Sequence, residues 1–340
     1  MKKKSSFIFN ICLIFIVLGL VLYFSLKDNF DEIISLISKM NIFYLLLCIG
    51  LLFIYRFLLS VVYYFVTTNN KQKIPFLRIM QINFIIPFFN GVTPFSGGGQ
   101  PMEIYYLHNE KVPMGTATNI VLQNSIIFQT ALLFLGFVSL AYNSIFNLFP
   151  TNSLIKKLVI VGFLVNFLVW LATFSVTFFQ EISRFIGNVV LKGLSKLKII
   201  KDYNGWQDKL DNYLSKFHES AKALRKNKSL VIKTVLIDIV AIMASYSIPY
   251  FLSLGLGASG FNIIEAIVTT CYVMIIGAFV PIPGGRGGIE HGFIVFYGYL
   301  LRGSILTALM LIWRFISYYL GITVGALILA SYRKKEQKCE

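Results

Sequence analysis

Acidic residues are scarce in this chain. Asp and Glu number 15 against 31 Lys and Arg over 340 residues, a net charge of +16, and charged residues make up 14% of the whole. Histidine occurs three times and cysteine four times. His108, His218 and His291 have no HExxH-type spacing, which excludes that class of metalloenzyme. Cys12, Cys48 and Cys271 lie in apolar runs and Cys339 in the tail, so no zinc site or disulfide framework is expected. The glycine clusters fit neither a P-loop nor a dinucleotide fingerprint. Ser96 lacks the Gly two residues before it that a nucleophile elbow needs. No cofactor, metal or catalytic residue is expected on these grounds.

Long apolar runs are abundant. The hydrophobic fraction is 56% and the mean hydropathy +0.73, far above a soluble domain. Runs of about 20 residues match the hydrocarbon thickness of a bilayer. We expect full spans at about 7–26, 42–66, 119–142, 156–179, 231–256 and 304–330. The first follows Lys2–Lys4 and lacks a small-residue cleavage site, so it reads as a retained helix rather than a signal peptide. The basic charge sits between the spans. That pattern belongs beside anionic lipid and excludes nucleic acid as a partner.

Two apolar stretches are interrupted. Residues 76–90 and 101–107 flank a run from Asn90 to Pro101 that contains Pro94, Ser96, Gly97, Gly98 and Gly99. Residues 263–280 and 289–301 flank Pro281 to Gly288, which contains Gly284, Gly285, Arg286 and Gly287. Pro and clustered Gly break helices, and broken backbone survives at membrane depth only where protein or water satisfies it. Both stretches are therefore expected to be re-entrant hairpins.

The loops 27–41, 143–154 and 257–262 are poor in net positive charge, whereas Lys71, Lys73, Arg78, the 181–230 segment and Arg333–Lys335 are basic. The positive-inside rule then puts both termini in the cytoplasm of a multi-pass protein of the cell membrane. Reading the hairpins as true spans leaves this parity unchanged. The fold class expected is an all-α polytopic membrane protein with about six full spans and two re-entrant hairpins, or about eight spans if the hairpins cross. The order span, hairpin, span occurs twice, at about 42–142 and 231–330, within a single membrane domain 1–340. The hairpins enter from opposite faces, as in an inverted-topology repeat. Between the repeats, about 181–230 reads as two amphipathic helices on the inner leaflet.

A glycine-rich break that opens a half-helix exposes backbone N–H groups to an anion. Ser96, Gly97, Gly98, Gly99, Gly284, Gly285 and Gly287 are candidates for such phosphate or headgroup contacts, with Arg286 as a direct charge. Glu103 and Glu290 begin the two half-helices. They serve either as ordinary first-turn acids or as partners for a cationic headgroup or for Arg286. Arg56, Asp238 and Arg314 are charges inside spans, and Gln123, Asn124 and Gln129 are polar positions beside them. Ion pairing and a polar headgroup cavity both account for them.

The run Thr93-Pro94-Phe95-Ser96-Gly97-Gly98-Gly99-Gln100-Pro101-Met102-Glu103 and the run Pro283-Gly284-Gly285-Arg286-Gly287-Gly288-Ile289-Glu290 resemble the two breaks of a known family. It is the transmembrane, flippase-type region of lysylphosphatidylglycerol synthases, with its standalone relatives. The second motif is the more specific, and the resemblance covers nearly the whole chain in segment order. It implies a membrane part that moves a phosphate-bearing, aminoacylated or other lipid between leaflets. Phospholipid and polyprenyl-type lipid are both substrates within its range. In bifunctional members a soluble domain transfers lysine to phosphatidylglycerol. This sequence ends at Glu340, soon after its last span, so no synthase domain is expected. Phosphatidylglycerol lysyltransferase activity and a scaffold for a separate lipid synthase remain the alternatives.

Overall fold

A computed structural model of the chain describes residues 30–93, 97–149, 153–197, 200, 202–258, 260–277 and 288–336. The expected first span, 7–26, lies outside these residues. The described chain is helical, as a bilayer requires, because a helix satisfies its own backbone groups. Five helical stretches are long and apolar enough to cross: Ile42–Asn69, Met114–Phe146, Lys157–Phe178, Lys228–Gly255 and Ser304–Ser331. Hydroxyls inside them are satisfied by the preceding turn. Ser60 donates to the Arg56 carbonyl (2.8 Å), Thr67 to Tyr63 (2.8 Å) and Thr130 to Ile126 (2.7 Å).

The elements are α1 (Phe30–Ser38), α2 (Ile42–Asn69), α3 (Phe76–Val92), α4 (Gly99–Asn109), α5 (Met114–Phe146), α6 (Ser153–Phe178) and α7 (Gln180–Lys196). After these come α8 (Tyr203–Lys226), α9 (Lys228–Tyr246), α10 (Ile248–Gly255), α11 (Ile263–Gly277), α12 (Gly288–Tyr297), α13 (Ser304–Arg314) and α14 (Gly321–Glu336). A π-helical stretch, Phe315–Leu320, joins α13 to α14 within one span. Pro249 marks the joint between α9 and α10.

Helices α2 and α9 pack side by side and run antiparallel. The Asn41 amide donates to the Gly255 carbonyl (3.0 Å) at one end, and the Asn227 side-chain amide to Asn69 Oδ1 (3.0 Å) at the other. These contacts define two ends of the bundle.

The two interrupted stretches are hairpins. Helix α4, of 11 residues, rises about 16 Å and α12, of 10 residues, about 15 Å, half the ~30 Å of hydrocarbon. The mouth of the first hairpin is closed by Arg78 Nε and Glu110 Oε1 at 3.6 Å, near the Asn69–Asn227 end. The mouth of the second is closed by Tyr297, whose hydroxyl donates to the Ala266 carbonyl (3.0 Å) and meets Thr270 Oγ1 (2.7 Å). That mouth follows α10 and lies at the Asn41–Gly255 end. The hairpins therefore enter from opposite ends. Each closing span packs on the other half's hairpin, α14 on α3 and α5 on α11. Small residues permit the first of these contacts. A Cβ on Gly325 would stand 2.9 Å from the Phe84 carbonyl, and one on Gly91 would collide with Ile322.

Three expectations need correction. The 27–41 loop folds in part as α1, whose Ile33 is buried in the core and whose Glu32 accepts a hydrogen bond from Ser304. The second half-helix ends at Tyr297 and not at 301, because residues 298–301 form turns. In the 181–230 segment only α7 keeps an exposed apolar face, formed by Ile182, Phe185, Ile186, Val189 and Val190. Helix α8 docks against α5, burying Leu214, Phe217, Ala221 and Leu224. A Cβ on Gly115 would strike the Tyr213 carbonyl, so glycine sets this close approach.

A buried polar network holds α8 in place. Ser220 donates to Asn70 Oδ1, Asn70 Nδ2 to Gln123 Oε1 (3.0 Å), and Gln123 Nε2 to the Ser220 carbonyl (2.9 Å) and Asn119 Oδ1. Gln123 was expected near a headgroup cavity and is committed here instead. Gln123→Leu would take one hydrogen bond each from Asn70 Nδ2 (which keeps its bond to the Val66 carbonyl), the Ser220 carbonyl and Asn119 Oδ1, a loss of about 1–3 kcal/mol. We expect faster amide exchange in α8 and a lower melting temperature in detergent. Unchanged α8 protection would show that the network holds nothing.

Helices α7 and α8 meet through Ser183 Oγ and His218 Nε2, 2.9 Å apart. Burial disfavours the charged ring, and Lys222 and Arg184 add to this against Glu181, so the His218 pKa lies below its usual value of 6.5. A lowered folded-state pKa gives stability that is present above the unfolded value and is lost as pH falls through the folded one. Amide exchange corrected for intrinsic rate should therefore rise in α7 and α8 as pH falls from about 7 to about 5. His218→Gln should remove that dependence.

Candidate functional site

The inner ends of the described hairpin helices, at Asn90 of α3, Gly277 of α11 and Ile289 of α12, line one cavity in the bundle. In the first hairpin, α3 ends where the Thr93 side chain turns back. Thr93 Oγ1 donates to the Phe89 carbonyl (2.7 Å) and accepts from the Gly98 amide (2.8 Å). Asn90 Oδ1 accepts from the Gly99 amide (2.8 Å). A side chain on Gly98 or Gly99 would collide with Thr93 or Asn90. The amides of Gly98 and Gly99 are thus spent inside the hairpin as the N-terminal cap of α4. They are not donors offered to an anion, and these glycines allow close approach instead. Gly97 is exposed in the turn. In the second hairpin Gly277 lies against Ile289, which closes α11 onto α12. Ser96, Gly284, Gly285, Arg286 and Gly287 lie outside the described residues.

This cavity has a volume of about 580 Å³. Its wall takes residues from both halves, among them Arg56 on α2, Asn90 on α3, Gln129 on α5, Met274 on α11 and Arg314 on α13. Helix α6 adds Phe163 and Asn166. Little of α6 is buried, and its Leu164, Leu168 and Leu171 are exposed on an apolar surface. The cavity thus abuts a lipid-facing wall. Arg56 and Gln129 each lie near the midpoint of a long span, so the cavity lies near the bilayer midplane.

Arg314 is held by the second half-helix. Its Nε donates to Glu290 Oε1 at 2.7 Å, with both side chains under a tenth exposed. Its guanidinium lies 4.6 Å from the ring centre of Tyr318, one turn on. The Tyr318 hydroxyl donates to the Gly91 carbonyl (3.4 Å) at the first tip. One chain of contacts, Glu290–Arg314–Tyr318–Gly91, therefore crosses the cavity from hairpin to hairpin. Tyr318 lies in the π-helical stretch, a feature common at functional sites.

Arg56 is held differently. Its guanidinium is 5.3 Å from the Tyr55 ring centre, and its Nε is buried with no hydrogen-bond partner. Glu103, near the start of α4, acts electrostatically on Arg56 and on Tyr63 without an ion pair forming among the described residues. Gln129 also carries an unpartnered oxygen, Oε1, at the cavity wall. Asp238 lies behind the wall, one turn from Ile242, which lines the cavity. Asn124 is half-buried and off the wall. Among the described residues no group of three or more His, Cys, Asp or Glu is placed to hold a metal.

The structure thus brings Arg56, Gln129 and Arg314 to one cavity, with Glu290 bound to Arg314. Glu103 and Asp238 stand just outside. Sequence reasoning missed Asn90, Thr93 and Tyr318. Tyr318 had a signal, its position four residues after an intramembrane Arg.

The family described as the lysylphosphatidylglycerol synthase TM region matches residues 10–325. The chain belongs to this family. It is also similar to a UPF0104 membrane protein of Archaeoglobus fulgidus, 27% identical over 264 residues, which covers 75% of this chain and 76% of the relative.

Removing one partner of the Arg314–Glu290 pair takes the described counter-charge from a buried group. Arg314→Leu should cost about 3–5 kcal/mol, and the double variant Arg314→Leu/Glu290→Leu much less. Melting of the three proteins in detergent checks this. Additive losses would mean that the two charges do not stabilise one another.

Proposed function

We propose that the protein is a lipid translocator. It carries a phosphate-bearing headgroup, aminoacylated or not, through the midplane cavity while the acyl tails remain in lipid beside α6. The single observation that carries this reading is the cavity between opposed hairpins, walled by two arginines, one of them with an unpartnered Nε. An arginine is expensive at this depth unless it has a counter-charge to meet. A phosphodiester supplies one and suits the guanidinium. Family membership supports a lipid-related membrane role.

The two halves, about 42–142 and 231–330, serve as inverted repeats. Alternating access arises as one half rocks against the other around the cavity. The exchanged packing of α14 on α3 and α5 on α11 supports this division. On this reading the protein lies in the cell membrane with both termini and helices α7 and α8 on the cytoplasmic side, where the basic charge belongs.

Purified protein in liposomes should move fluorescent phosphatidylglycerol between leaflets, with zwitterionic lipid and a polyprenyl phosphate as parallel arms. Arg56→Gln should slow the anionic lipid about tenfold or more, since a hydrogen bond to a charged group is worth ~1.5–3 kcal/mol. Movement no faster than in protein-free liposomes would sink the reading.

A further inference from the structure

Asp238 is the buried charge that headgroup binding leaves unused. Its side chain is 1% exposed, and its Oδ1 is buried without a hydrogen-bond partner. It lies ten residues along α9 from Lys228, about 15 Å of helix. Ile242, one turn further on the same face, lines the cavity, as do Ser245 and Tyr246. Its charge is felt by Tyr55, whose neighbour Arg56 also lines the cavity.

Among the described residues the surroundings supply no fixed counter-ion. Helix α9 packs against α2, α5, α8, α10 and α11. Helix α2 brings Tyr55 and Arg56 to this level. Helix α5 carries no Asp, Glu, Lys, Arg or His, and α10 has only Tyr250 as a titratable group. Helix α11 contributes Cys271, Tyr272 and, at its far start, Glu265. Of the cations of α8, Lys222, Arg225 and Lys226 lie in the part that leads to Lys228, with His218 before them, and Lys209 and Lys216 lie further from α9 along the chain. Lys233 of α9 itself lies over the Phe65 ring, 4.6 Å from its centre. No ion pair to Asp238 exists among the described residues. An unpaired carboxylate so deep in hydrocarbon is costly, whereas the neutral acid is not.

We propose that Asp238 is a proton-binding site thermodynamically linked to anion loading of the cavity, so that a proton and a phosphate headgroup are carried together. The proposal rests on the translocator reading. The step is a proton transfer: a carboxylate oxygen of Asp238 takes H⁺ from water while the cavity is open to one side and returns it to water on the other. An ionised Asp238 repels a phosphate held at Arg56, and a neutral Asp238 does not. By reciprocity, protonation tightens anion binding and anion binding draws in the proton.

The test uses the whole protein in phosphatidylcholine nanodiscs with soluble short-chain phosphatidylglycerol, whose phosphodiester keeps one negative charge across the range used. Wild-type affinity should fall about tenfold between about pH 6 and about pH 9, within the usual span of coupling between two sites. Asp238→Asn mimics the neutral acid. It should bind at high pH as tightly as wild type does at low pH, with little dependence on pH. Glu265→Gln, at the far start of α11 and off the cavity wall, should keep the wild-type dependence. A pH dye in unbuffered solution should record proton uptake as wild type binds lipid at high pH, and none for Asp238→Asn. The uptake measurement on wild type stands even if the variant fails to fold. Binding by wild type that does not vary with pH overturns the proposal, as does a dependence that survives in Asp238→Asn or vanishes in Glu265→Gln. In each of those cases lipid movement between leaflets persists and the translocator reading stands. Absence of anionic-lipid binding at every pH overturns both.

Discussion

The buried ion pair between Arg314 and Glu290 ties the structure together. Glu290 starts the half-helix of the second hairpin, and Arg314 comes from the closing span that runs on into α14 against the first hairpin. Either charge alone would be untenable at this depth. The pair therefore fixes the half-helix against the span. The Tyr318 contact then extends the link to the tip of the first hairpin. The bilayer offers little hydrophobic drive for helices to associate with one another. Specific polar links and close glycine contacts must do that work. Gly91 and Gly325 allow the approach of α3 and α14 that brings Tyr318 within reach of the Gly91 carbonyl.

The large features were legible in the sequence because each follows from a single strong constraint. Apolar runs must be helices in lipid, and a Gly/Pro cluster must break them. The five described spans follow from the first rule, and the two hairpins from the second. Side-chain commitments were not legible. Gln123 and Gln129 are both polar positions on α5, yet one is sealed in the network with Asn70 and Ser220 and the other lines the cavity. The difference depends on α8, whose docking brings Ser220 to Gln123. Glu290 could be placed at the head of its half-helix, but its partner lies 24 residues away on another element, and only packing selects it. The same limit applies to Gly98 and Gly99. Their sequence is that of an anion nest, but Asn90 and Thr93 fill the role of the anion.

The basic segment between the halves has two physical roles rather than one. Helix α7 keeps an apolar stripe exposed beside Lys192 and Lys196, the arrangement of a helix at a membrane surface. Helix α8 turns its apolar face inward and meets the spans through polar groups. Amphipathicity alone cannot separate these cases, because an apolar stripe satisfies lipid and protein equally. Gly115 of α5, which admits the Tyr213 backbone of α8, and the buried Ser220 of α8 are the discriminating features, since a helix that merely rests on lipid needs neither.

The two cavity arginines are not equivalent, and the difference carries a consequence. Arg314 has its counter-charge built in, so its cost is offset within the fold. Arg56 has an unpartnered Nε, a ring beside it and a carboxylate, Glu103, near but not bound. A charge left this way is either a defect or a place kept for a ligand. Gln129, on the same wall, also has a buried unpartnered atom, and Asp238, one turn behind it, has another. Unsatisfied groups are rare in native interiors and each calls for a reason. Three of them around one midplane cavity are more economically read as one ligand environment than as three separate faults of packing.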